Sequence, residues 1–157
     1  MDAWNSADIR SRRFTTYLNQ ADAEVTQWMQ NNLPERAIVL NYSARYDDFM
    51  QDIIPAFAER SLFVGNRIFS RIFQVAEEDV RDRTGTVATL FRFTSPEETW
   101  RLAGKSGIEY VFVSGVEARE MSPLIEKLAP PYFSMIMQEG GSALFRINRD
   151  VTEEPER

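Results

Sequence analysis

Apolar positions along this chain switch between two spacings, and the switches divide it into helices and strands. Ala21, Val25, Trp28 and Met29 share one helical face behind Asn19, a residue suited to an N-cap, and Pro34 stops the run. AIVLN (37–41) then predicts a short buried strand. In YDDFMQDIIPAFAER, Phe49, Ile53 and Phe57 recur every four residues, so a second helix is expected, kinked or shortened at Pro55. SLFVG (61–65) predicts the second strand. Ile68, Phe69, Ile72, Phe73 and Ala76 return to helical spacing, and Val80, Thr84, Val87 and Phe91 prolong it through Gly85. TVATLFRF within that stretch also alternates as a strand would.

The second half is better punctuated. In SPEETWRLAGKSG, Ser95 caps, Pro96 takes the first helical position, Glu98 completes a capping box, and Gly104 or Gly107 ends the helix. Ile108 to Val113 is the third strand, broken off by Ser114-Gly115 and a burst of charge. Met121, Leu124, Ile125 and Leu128 mark another helix, starting there or at Ser122-Pro123 and stopped by Pro130-Pro131. YFSMIMQ and SALFRIN around EGG read as a hairpin. Alternating strands and helices predict an α/β fold: a mainly parallel, Rossmann-like sheet with helices on both faces and a C-terminal antiparallel hairpin at one edge. The divisions are an arm or tether (1–18), one domain (19–149) and a frayed tail (150–157).

Composition narrows the chemistry. The 157 residues, 43% apolar and 27% charged, suit one globular domain. A net charge of −6 argues against a nucleic-acid partner, and the basic cluster Arg10, Arg12, Arg13 reads as a solvated arm. The chain has no Cys and no His, which rules out disulfides, thiolate nucleophiles, Ser-His-Asp triads and the common zinc sites. Redox compartment stays open. No apolar run is long enough to cross a bilayer, so the chain as given is expected to be soluble, with Met1 compatible with an excised domain.

In an open α/β sheet, ligands sit outside the C-terminal ends of the strands. Those ends carry Asn41, Tyr42, Ser43 and Arg45, then Gly65, Asn66 and Arg67, then Ser114, Gly115 and Glu117. The candidate ligand rim is therefore Asn41, Ser43, Arg45, Gly65, Asn66, Ser114 and Gly115. The plainer alternative is that small polar residues end strands and cap helices, since no phosphate-cradling glycine motif is present. Asp47-Asp48, Glu77-Glu78-Asp79, Glu97-Glu98 and Glu153-Glu154 hold adjacent carboxylates, which do not face one another on a helix, so solvated surface is the expectation. Asp47 or Asp79 lacks any metal-loop signature. Tyr42, Tyr46 and Trp4 are the aromatics to watch for sugar contacts.

The order of the pieces carries a resemblance. A Trp-bearing helix ends at Pro34 before AIVLN; DIIPAFAERSLFVGN runs through Pro55, Arg60 and Gly65; EEDVRDRTGTVATLF precedes SPEETWRLAGKSGIEYVFVSGVEARE; PPYFSMIMQEGGSALFRIN comes last. Over residues 21 to 148 this resembles the soluble C-terminal domain that follows the last membrane span of polytopic GT-C-class glycosyltransferases, relatives of the dolichyl-phosphate-mannose protein mannosyltransferases. In that pattern a Gly-centred turn with adjacent Glu-Arg follows the strand; here Gly115 stands one position late, and Glu117 and Arg119 are separated.

The resemblance implies a non-catalytic accessory domain on the non-cytoplasmic side of a membrane-anchored transferase that uses a polyprenyl-phosphate sugar donor. Its implied partners are the membrane-embedded remainder of the polypeptide and a glycan or lipid-linked sugar; from composition, no nucleic acid, cofactor or metal is expected. Ser114-Gly115 then ends a strand without serving a catalyst. Two rival expectations are a stand-alone small-ligand or nucleotide-binding domain and a protein-interaction module.

Overall fold

The computed structural model describes residues 19–41, 54–64, 74–92, 95–115 and 126–151. In chain order these form helix α1 (Gln20–Asn32), strand β1 (Ile38–Asn41), a single π turn (Ile54–Ala58), β2 (Ser61–Leu62), α2 (Glu77–Arg92), α3 (Pro96–Lys105), β3 (Tyr110–Val113), β4 (Phe133–Glu139) and β5 (Ser142–Ile147). The expected helix over residues 121–128 lies mostly outside the described residues.

The sheet corrects the expected architecture. Its order is β2-β1-β3-β5-β4, with β1 parallel to both β2 and β3, β3 antiparallel to β5, and β5 antiparallel to β4. It is a mixed sheet, not a mainly parallel Rossmann-like one. Strand length explains the difference. The parallel strands have 4, 2 and 4 residues, whereas β4 and β5 have 7 and 6, so most paired residues are antiparallel. Periodicity identifies a strand but not its neighbour, and the two hairpin strands outweigh the short parallel ones.

Alternation along the central strands feeds two cores. Leu40, Val111, Val113 and Phe145 point to the face covered by Val87 and Leu90 of α2 and Ala103 of α3. Val39, Phe112 and Leu144 point to the other face, against Val25 and Met29 of α1 and Ile54 and Ala58 of the π turn. Phe112, Phe133 and Phe145 are among the largest fully buried side chains. Each such side chain contributes about 1.5–3 kcal/mol relative to exposure.

Local chemistry sets the helix ends. Asn19 caps α1 by accepting from the Asp22 amide at 2.8 Å. The box on α3 is complete: Glu98 N donates to Ser95 Oγ at 3.2 Å, and Ser95 N donates to Glu98 Oε2 at 3.0 Å. Gly107, at φ +74°, takes the left-handed conformation just beyond α3. The ambiguous stretch is helix from Glu77 to Arg92, and Thr84, Thr86 and Thr89 return their hydroxyls to carbonyls four residues back. Pro55 sits in the π turn, where its missing N–H breaks regular α-helical bonding.

α1 has no basic residue in its last turn. Arg60 supplies the cation from elsewhere in the chain. Its guanidinium donates to the carbonyls of Gln30 (2.7 Å) and Leu33 (2.6 Å) at the end of α1, and to those of Ala58 and Glu59 (both 3.1 Å). Arg60 thus satisfies orphan helix carbonyls and complements the negative end of the dipole.

Candidate functional site at the sheet rim

Because β1 and β3 are parallel neighbours, with Asn41 opposite Phe112, their C-terminal ends open onto the same edge of the sheet. Of the candidate rim residues, Asn41, Ser114 and Gly115 are described, and all three are buried. Ser43, Arg45, Gly65 and Asn66 lie outside the described residues, as do Trp4, Tyr42, Tyr46, Asp47 and Glu117.

At Gly115 the rim meets a group that sequence reasoning missed. Gly115 N–H donates to Asp22 Oδ1 (3.2 Å) and to Ser142 Oγ (3.1 Å), while the Ser142 hydroxyl donates to the same Asp22 oxygen. Asn19 Nδ2 donates to Asp22 Oδ2 at 2.9 Å. Three donors from three regions therefore converge on one carboxylate. The backbones crowd accordingly: a Cβ on Gly141 would lie 3.2 Å from Gly115 Cα, and one on Gly140, at φ +53°, would lie 3.0 Å from Ala21 Cβ. Only glycines permit the hairpin tip to approach this closely.

Asp22 has no exposed surface, and burial pushes its pKa up from 3.8. The Ser142 and Gly115 hydrogen bonds pull it back down. Its place in the first turn of α1 also favours the anion. A carboxylate enclosed in this way cannot reach a substrate, so the arrangement fastens α1, β3 and the hairpin together. A signal for it existed in the sequence: Asp22 stands three and seven residues before the core residues Val25 and Met29, which places a charge on the buried stripe.

Elsewhere the acidic clusters follow the plainer expectation where they are described. Glu97 pairs with Arg101 at 2.9 Å on the surface of α3, and Glu77, Glu78 and Asp79 occupy the first turn of α2. Among the described residues no three His, Cys, Asp or Glu side chains gather as metal ligands, and no helix is long and apolar enough to cross a membrane.

No protein-family model matches the chain, and no curated protein matches it in sequence. A solved structure does match in fold: the C-terminal globular domain of an oligosaccharyltransferase from Archaeoglobus fulgidus. The TM-score is 0.52 at 18% identity, covering 81% of this chain and 96% of that one. At this identity the likeness is one of fold.

Proposed function

We propose that this chain is the accessory, non-catalytic domain of a membrane glycosyltransferase of the GT-C kind, using a polyprenyl-phosphate sugar donor. One observation carries the reading: the fold is shared across 96% of a domain that ends an oligosaccharyltransferase. The order of motifs from Ala21 to Asn148 supports it independently, as does a sequence without His or Cys. In this reading the domain lies on the non-cytoplasmic side and packs against the membrane-embedded remainder of its own polypeptide. The catalytic acid belongs to that remainder.

The gene upstream of residue 1 tests the proposal. Several apolar spans of about 20 residues are expected there. A complete reading frame without such spans overturns it in favour of a stand-alone ligand-binding domain or an interaction module.

A further inference from the structure

A cleft of about 800 Å³ opens at the end of the sheet opposite the rim, between Pro34, Pro131 and the starts and ends of β3 and β5. Its position follows from the mixed sheet. β5 runs antiparallel to β3, so Tyr110, which begins β3, pairs with Arg146, near the end of β5. Ligand sites in parallel sheets are expected only at the other edge, which is why the sequence did not point here.

The floor is rigid. Asn148 spends its side chain on Pro131 O (Nδ2, 2.6 Å) and on the Ser134 hydroxyl (Oδ1, 2.9 Å). Its carbonyl accepts the Trp100 indole N–H at 2.6 Å. These bonds tie α3 and both hairpin strands beneath the cleft.

Two arginines, Arg146 and Arg149, line the cleft beside two carboxylates, Glu109 and Asp150, and the arginines differ. Arg149 pairs with Glu109 at 2.8 Å, with its side chain 74% exposed. An ion pair so exposed is worth little and exchanges readily for another anion. The Arg146 guanidinium has no hydrogen-bond or ion-pair partner among the described residues. The half-buried Tyr110 stands across the strand pair from it.

We infer that this cleft is an oxyanion-binding site, in which Arg146 receives the phosphate or carboxylate of a sugar-sized molecule and Arg149 leaves Glu109 to join it. The guanidinium fork matches either anion with two parallel hydrogen bonds. The volume suits a compact ligand rather than a macromolecule. This site stands on its own geometry and does not require the accessory-domain reading.

The test is amide NMR of the full chain titrated with glucose 1-phosphate, with glucuronate and with neutral glucose. Saturable shifts at Tyr110, Arg146 and Asn148 are expected with at least one of the two anions and not with glucose. Arg146→Gln should weaken that binding about tenfold or more, and Arg149→Gln by less. Arg146 is exposed, so an unchanged melting midpoint is expected for the variant. If the midpoint falls, Arg146→Lys replaces it, and losing the fork should still weaken binding. Absence of saturable shifts with both anions overturns the site, as does an equal response to glucose or a wild-type titration in the variants. Shifts centred on Ser114 and Gly115 overturn it too.

Discussion

Ser142 donates its hydroxyl hydrogen to Asp22 Oδ1 at 2.5 Å across 120 positions of sequence. The bond joins the first described helix to the last strand. Between them, Gly115 N–H bonds to both oxygens and ties in the end of β3. Asp22→Ala should therefore leave three donors, the buried Gly115 N–H and Ser142 hydroxyl and the part-buried Asn19 Nδ2, without their shared acceptor, at a cost of about 2–3 kcal/mol. Ser142→Ala should cost about 1 kcal/mol, because Gly115 and Asn19 still hold the carboxylate. Urea unfolding of the two single variants and the double variant checks this, and the double should lose less than the sum.

The same carboxylate makes a pH prediction. Its folded pKa lies above the unfolded 3.8, so the folded state holds the proton more tightly. The resulting stabilisation is fully present below 3.8 and is lost as pH rises through the folded pKa. Compared with Asp22→Asn, which does not titrate, the wild type should lose relative stability as pH climbs from 3.8 toward neutrality. Unfolding midpoints of both proteins across that window give the sign directly.

Arg60 offers a second long-range test. Its four bonds to backbone carbonyls close the end of α1 against the π turn, in a buried setting. Arg60→Ala should cost about 3 kcal/mol, since carbonyls at a helix end lose their donors. Arg60→Lys should recover little, because a single ammonium cannot span these separated acceptors. Chemical denaturation with a circular-dichroism readout separates the three proteins.

Two surface helices permit changes of opposite sign. Ser95→Ala breaks the capping box of α3 and should cost about 1 kcal/mol. Gly85 lies within α2, and a Cβ there meets nothing within 4 Å. Gly85→Ala should therefore stabilise the protein by about 0.5–1 kcal/mol. Thermal melts of the two variants should move in opposite directions.

How legible these features were depends on the range of the interaction that makes them. The α3 helix, its Ser95-Glu98 box and the Gly140-Gly141 hairpin tip are local, and local spacing announced them. The helix through Gly85 was ambiguous because TVATLFRF also alternates as a strand would, and burial of Val87 and Leu90 decided for helix. The antiparallel balance of the sheet was not legible, since the apolar run at Val111 to Val113 looks the same beside β1 or β5. Asp22, Gly115 and Ser142 lie far apart in sequence, so their meeting has no local signature. Asn41, Ser114 and Gly115 could be placed on one edge by the direction of β1 and β3. The Arg146 cleft escaped notice because it sits at the edge where an antiparallel strand ends.

The buried carboxylate also acts as a reader of strand alignment. Ser142 is the last residue before Ala143, which pairs with Val113, so it meets Asp22 only when β5 lies in one register against β3. A slip of one residue would present Gly141 or Ala143 to the carboxylate, and a slip of two would present Gly140 or Leu144. None of these side chains can donate a hydrogen bond. Every misaligned hairpin would leave the charge buried with fewer donors, and a slip of one residue would also turn the apolar alternation of β5 to the wrong face. The native pairing is selected by the failure of its neighbours.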